Sequence, residues 1–268
     1  MDLTFWQKQT SQSPLFPDIE WGKPQRRQAA GKLVIVGGNR SGFAAVAEAH
    51  QTALAAGAGE CRVLLPDTLK SSLQRLLPPD TVFLESTPSG GLAKSALPRL
   101  LAAADWADGV LLAGDNGRNS ETAILFETLL ARSDRPLTVT RDSFDILSAA
   151  LLQTANRPAT LLVLAFAQLQ KLFKTLYYPR PLIFSMSTAN LADALHKFTI
   201  TYPLAVAVLH REQLLVTRAG EVTSTPWQDP MEIWRGKTAA RAATYWLWHP
   251  QKPLEAVTAS LLAPVAST

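Results

Sequence analysis

Residues 31–59 read GKLVIVGGNRSGFAAVAEAHQTALAAGAG, and their reading decides the fold. Leu33 to Val36 is an apolar run of strand length. It meets the bend Gly37-Gly38-Asn39-Arg40-Ser41-Gly42, after which an Ala-rich helical stretch runs to Gly57-Ala58-Gly59. A buried strand, a glycine-rich bend and a helix open an α/β unit. Such a bend can present backbone N–H groups at a helix N-terminus, where an anion is favoured. Two phosphate-loop signatures fail here. Gly37, Gly38 and Gly42 do not space as G-x-G-x-x-G, and Phe43 stands where a P-loop carries lysine. The stretch specifies a fold class and leaves the ligand open.

Working outward, the pattern repeats. Strand-length apolar runs lie at 32–36, 61–65, 81–84, 109–112, 137–140, 161–164, 182–184, 204–209 and 213–217. Helical patterns lie at 43–56, 69–76, 97–103, 120–131, 144–152, 169–176, 188–198 and 238–248. Alternating strand and helix with short connections predicts a mostly parallel sheet covered on both faces. His210-Arg211-Glu212 reads as a hairpin link that adds an antiparallel pair near Leu215. Residues 1–30 are polar, with Pro14, Pro17, Pro24, Trp6 and Trp21, and read as an extended arm. No linker or repeat divides residues 31–268, which read as a single domain.

Composition narrows the classes. Of 268 residues, 47% are hydrophobic and 18% charged, which excludes wholesale disorder and leaves an apolar surface that favours a homo-oligomer. The net charge of +4 is spread over isolated arginines, without the Lys/Arg block of a nucleic-acid binder. The single cysteine, Cys61, excludes a disulfide framework and a Cys-rich metal site; beside Val63-Leu64-Leu65 it reads as a buried strand thiol. The N-terminal residues lack a basic segment followed by an apolar one, and no apolar run reaches membrane-spanning length. The expectation is a cytoplasmic protein with no membrane partner.

Three further segments carry a resemblance. Asp105-Trp106-Ala107-Asp108-Gly109-Val110-Leu111-Leu112 leads into Ala113-Gly114-Asp115-Asn116-Gly117-Arg118. Pro136-Leu137-Thr138-Val139-Thr140-Arg141-Asp142-Ser143-Phe144-Asp145-Ile146-Leu147 follows, and Pro253-Leu254-Glu255-Ala256 lies near the end. With the first glycine turn, these resemble the G-G-S, G-P-G-L-G, P-L-V-L-D-A-D-A-L-N-L-L and D-P-L-E-A segments of the ADP/ATP-dependent NAD(P)H-hydrate dehydratases. That family is a branch of the ribokinase-like superfamily, and the likeness of layout covers roughly residues 25 to 263. It implies a three-layer α/β/α ribokinase-like domain with a mainly parallel central sheet. It also implies a homo-oligomer, ADP or ATP with Mg²⁺ as cofactor, and dehydration of NADH or NADPH hydrate. By the same resemblance Gly38, Asn39 and Asp142 fall on the substrate side. Gly114, Asp115, Asn116, Gly117, Gly236, Lys237 and Thr238 fall where a nucleotide or other anion binds.

Four polar functions of the family are replaced. Trp234-Arg235-Gly236-Lys237 aligns with its G-x-G-D turn, which puts Lys237 on the catalytic aspartate. An ammonium takes no proton at neutral pH unless burial depresses its pKa by several units. Val163-Leu164-Ala165-Phe166-Ala167-Gln168 stands for T-P-H-P-G-E, Thr140 for the first aspartate of D-A-D, and His210-Arg211 for a late K-G turn.

Each candidate has a plainer reading beside the functional one. Gly236-Lys237-Thr238 is not a Walker A ending, because Met231 occupies the place of the first glycine. Lys237 at a helix N-terminus opposes the helix dipole; a bound phosphate or carboxylate would reverse that sign, and otherwise the lysine is solvated or paired. Asp115-Asn116-Gly117 is either a ligand edge or a polar turn entering a helix capped by Asn119 or Ser120, with Glu121 in its first turn. His50, His196, His210 and His249 fall in no metal-ligand spacing, so no metal site is expected. Ser185 and Ser187 read as helix caps. Trp227, Trp234, Trp246 and Trp248 suit a subunit contact or a lid. Two functions follow. One is a diverged, catalytically impaired dehydratase homologue that still binds an anion. The other is an active NAD(P)H-hydrate dehydratase or small-molecule kinase working with altered residues.

Overall fold

The computed structural model describes residues 3–73, 77–78 and 80–262. Ten strands form one sheet: β1 (Trp6–Lys8), β2 (Lys32–Gly37), β3 (Glu60–Pro66), β4 (Thr81–Leu84), β5 (Gly109–Gly114), β6 (Leu137–Thr140), β7 (Thr160–Leu164), β8 (Ala205–His210), β9 (Gln213–Arg218) and β10 (Glu221–Pro226). Their order is β1-β10-β9-β8-β7-β6-β5-β2-β3-β4. From β4 through β8 every pairing is parallel. The hairpin β8–β9 and the pair β9–β10 are antiparallel, with Val208 opposite Leu215.

Strands buried on both faces read as unbroken apolar runs, and β5 and β7 are buried at every residue. Alternate side chains go to opposite faces. Val34 and Val36 join one core with helices Leu97–Trp106, Ser120–Arg132, Phe166–Thr175 and Thr188–Thr201. Leu33 and Ile35 join the other with Ala44–Ala56, Lys237–Trp248 and Pro253–Ser260. Each such leucine contributes about 2 kcal/mol by leaving water. The result is helix, sheet, helix. Cys61 is buried, and burial pushes its thiol up to about 12.

Four sequence expectations change. Residues 182–184 form no strand: Pro179 and Pro181 break the backbone donors that a ladder needs, and Leu182 gives its carbonyl to Gln170 Nε2 instead. The 144–152 helix is in fact two short helices, Asp142–Ile146 and Leu151–Ala155, parted by a tight turn at Ser148, a residue that competes poorly in helix interiors. The 69–76 helix is described only as Lys70–Leu73, with 74–76 outside the described residues. The arm is not extended throughout. It contributes β1 and the helix Pro17–Trp21, because β10 offers an unpaired edge that β1 covers. Trp6 Nε1 donates to Ser224 Oγ at 3.0 Å, Gln9 Nε2 to Thr258 O at 2.7 Å, and Tyr245 Oη to Glu20 Oε2 at 2.7 Å.

Candidate anion site at the carboxyl edge of the sheet

Sheet order reverses between β2 and β5, and such a switch point opens a crevice at the carboxyl ends of the strands. The glycine bends after those strands touch. A Cβ on Gly37 would lie 2.3 Å from Gly114 O, so only glycine allows the approach, and Gly38 N–H donates to Gly114 O at 2.9 Å. Asn39 Nδ2 donates to Asp115 O, which ties the first bend to the second.

The turn after β5 is left-handed at Gly114, Asp115 and Gly117, with φ of 105°, 58° and 70°. Successive N–H groups in such a turn make a concavity for an anion. Here the chain fills it. The N–H groups of Asp115, Asn116 and Gly117 donate to the Asp142 carboxylate at 2.8, 2.9 and 3.2 Å. Burial pushes the Asp142 carboxyl above its ordinary range, outweighing those three donors and the nearby Arg141 charge. Asn116 Nδ2 donates to Ser143 Oγ at 2.7 Å. Asp115 is equally engaged: one oxygen accepts from Arg141 Nη2 at 2.6 Å, the other from Ala45 N–H at 2.7 Å. It thereby caps the N-terminus of Ala44–Ala56, which has no cap from Phe43.

Arg141 lies between the two candidate turns. A Cβ on Gly114 would sit 3.0 Å from Arg141 Cβ, and one on Gly236 would sit 3.6 Å from Arg141 Cδ. Arg141 holds φ 55° and ψ −142°, a conformation that side chains disfavour. Its carbonyl accepts from Gln168 Nε2 at 2.8 Å and from Phe144 N–H at 3.1 Å, bonds that fix the backbone there.

The second turn differs. Gly236 has φ 79° and precedes the helix Lys237–Trp248, which has no side-chain cap. Among the described residues, the N–H groups of Lys237, Thr238 and Ala239 have no acceptor, and Lys237 makes no ion pair. The Thr238 hydroxyl is fully buried and without a partner. Behind the turn, Arg241 and Glu232 form a buried two-bond ion pair, with Arg241 also over the Trp227 ring at 5.6 Å. That pair ties the segment before Gly236 to the helix after it.

A cavity of about 840 Å³ lies beside the first turn, lined by Gly117, Arg118, Asn119, Ser120, Asp142 and Lys171 among others. None of residues 236–238 lines it. The remaining candidates have structural roles. Thr140 Oγ1 donates to Val163 O inside the sheet, and Gln168 bonds Arg141 and Asp145. Asn119 caps Ser120–Arg132 by accepting from Glu121 and Thr122 N–H, and Ser187 caps Thr188–Thr201. His196 stacks on Phe5, and His210 bonds Met186 O. Among the described residues no three His, Cys, Asp or Glu gather as metal ligands, and no helix is long and apolar enough to cross a membrane. Trp246 is buried in the core and Trp234 is 57% exposed. Arg141 is the residue the sequence reading missed.

Solved structures share this architecture. A ribokinase-like superfamily protein of Enterococcus faecalis superposes with a TM-score of 0.73 at 15% identity, over 98% of this chain and 88% of its own. The fold is ribokinase-like. The Bacillus subtilis ADP/ATP-dependent NAD(P)H-hydrate dehydratase, co-crystallised with ATP/Mg²⁺, matches at 0.58 and 10% identity, over 88% and 79%. The Staphylococcus aureus pyridoxal kinase, in complex with AMP-PCP and pyridoxal, matches at 0.55 and 12%, over 86% and 84%. No family model matches the sequence, and no curated protein does.

Proposed function

We propose that this chain is a diverged NAD(P)H-hydrate dehydratase-like protein that binds an anion at the 236–238 turn and does not carry out the dehydration. One observation carries the reading: on the first turn of Lys237–Trp248 stands a lysine that, among the described residues, has no ion pair, beside N–H groups that have no acceptor there. A cation at that position disfavours the helix by a few tenths of a kcal/mol to about 1, and an anion between ammonium and helix end turns the same arrangement favourable. By the family resemblance, this is also where the catalytic base should stand. Loss of a general base alone removes about 100- to 10,000-fold in rate.

Support for a nucleotide-type ligand comes from the dehydratase crystallised with ATP/Mg²⁺ and the kinase crystallised with AMP-PCP. The competing reading, an active dehydratase or small-molecule kinase, draws on the cavity of about 840 Å³ beside Asp142. Purified protein incubated with NADH hydrate, Mg²⁺ and ADP or ATP separates the two. We expect no turnover, and about one turnover per second, ordinary for an enzyme, would establish the competing reading. A homo-oligomer and a cytoplasmic location belong to the same proposal; light scattering at 29.1 kDa would contradict the oligomer.

A further inference from the structure

We propose that the cavity between the N-terminal arm and the last helix binds a small organic ammonium ion, independently of any anion at the 236–238 turn. The cavity measures about 330 Å³, and Gln9, Phe16, Glu20, Trp21, Ala259 and Leu262 are among its walls. That volume lies at the small end of ligand pockets. Its two sides are tied together. Gln9 Nε2 donates to Thr225 Oγ1 at 2.8 Å and to Thr258 O at 2.7 Å, which fixes the arm on the helix Pro253–Ser260. None of residues 114–117, 141–142 or 236–238 lines it.

Among the described residues on these walls, Glu20 is the one charged group, and no Lys, Arg or His stands with it. Glu20 Oε2 accepts from Tyr245 Oη at 2.7 Å, and Tyr245 is 1% exposed, so a buried phenol holds the carboxylate in place. Among the described residues Glu20 Oε1 has no hydrogen bond and Glu20 makes no ion pair. The cations beside the helix Pro17–Trp21 are engaged elsewhere: Lys23 Nζ lies over the Trp248 ring at 5.4 Å, and Lys252 pairs with Asp18 at 3.3 Å. Aromatic faces complete the site. This chain sets its own cations over the rings of Trp6, Trp106, Trp227 and Trp248. The Trp21 ring, 82% exposed on the cavity wall, carries none among the described residues. An ammonium ion uses both kinds of group at once. It donates a charge-assisted hydrogen bond to the carboxylate and is attracted to aromatic faces such as those of Trp21 and Phe16. An anion would meet Glu20 with no cation on the walls to offset it.

The full chain tests this by titration calorimetry and thermal shift with butylammonium chloride, against butanol and butyrate as neutral and anionic isosteres. We expect butylammonium to bind and raise the melting temperature, and the two isosteres to do neither. Nα-acetyl-lysinamide separates the sources: binding as tight as that of butylammonium identifies a lysine side chain of a polypeptide, and weaker binding identifies a free amine. Glu20→Gln keeps an acceptor for Tyr245 and should weaken butylammonium about tenfold, the order that a hydrogen bond to a charged group contributes. Trp21→Ala, at an exposed position, should weaken it about threefold and leave the melting temperature of the free protein unchanged. Wild-type affinity in Glu20→Gln, or butanol binding as tightly as butylammonium, overturns the inference. So does the absence of butylammonium binding at millimolar concentration. Lys237→Ala should leave butylammonium binding unchanged, so this site and the anion site fail separately.

Discussion

Two glycine turns flank the Arg141 side chain, and they use their backbone donors in opposite ways. The turn at 114–117 points three N–H groups at a carboxylate that the chain itself supplies, Asp142. The turn at 236–238 points its N–H groups at nothing within the described residues and adds an ammonium. The first is a closed electrostatic unit, and further charge there would meet Asp142 and Asp115. The second is an open one. The difference teaches that a glycine-rich bend at a sheet edge does not identify an anion site until its donors are traced to their acceptors.

The comparison can be broken at four points. Glu232→Gln strikes the support of the open turn. Removing one partner of a buried pair whose side chains are each 6% exposed should cost about 3–5 kcal/mol in denaturant unfolding. A loss below about 1 kcal/mol would mean that the 227–236 segment is held by other contacts. Asp142→Ala strikes the closed turn. Each orphaned N–H costs about 1–3 kcal/mol when buried, and since Gly117 is exposed we expect about 2–4 kcal/mol in total. Restoration of that loss by added acetate or phosphate would show an emptied anion hole. Asn119→Ala removes the cap of Ser120–Arg132 and should cost about 1 kcal/mol, visible as a lower midpoint at unchanged slope. Lys237→Asp has the smallest effect and the opposite sign. In phosphate-free buffer it should stabilise by up to about 1 kcal/mol, because an anion replaces a cation at a helix N-terminus. Destabilisation there would show that the Lys237 ammonium has an internal partner and that the second turn is closed as well.

The two turns also mark how far the sequence could be read. Strands β2, β5 and β7 were legible because burial on both faces writes a continuous apolar run. Strand β10 was not. Its Thr223, Ser224 and Thr225 are buried but polar, and their hydroxyls bond Thr258, Trp6 and Gln9, more than thirty residues away in sequence. Strand β1 has three residues and no pattern of its own. Within the candidate site, the family resemblance pointed to the glycines and Asp142 as ligand-side residues, and the structure shows Asp142 bonded to the first turn's own N–H groups. That filling of the first turn was not legible, since a carboxylate 25 residues from Gly117 gives no local signal of where its oxygens point. Arg141 was hidden for a related reason: its place between two glycines depends on a positive φ that arginine rarely adopts.

The pairing of β1 with β10 carries a consequence for how the chain is made. Residues 6–8 emerge from the ribosome before every other strand of the sheet, yet their ladder partners are residues 222–224. Gln9 must wait longer still, for the carbonyl of Thr258. The helix carrying Lys237 likewise packs on β2 and β5, made two hundred and more than one hundred residues earlier. Translation at about 5–20 residues per second leaves the early strands without their cover for roughly ten seconds or more. During that interval the apolar face bearing Leu33 and Ile35 has Ala44–Ala56 but lacks Lys237–Trp248 and Pro253–Ser260, and β10 has not yet been made to receive the N-terminal strand. The second turn therefore takes its place only after the roughly two hundred residues separating it from β2 have been made.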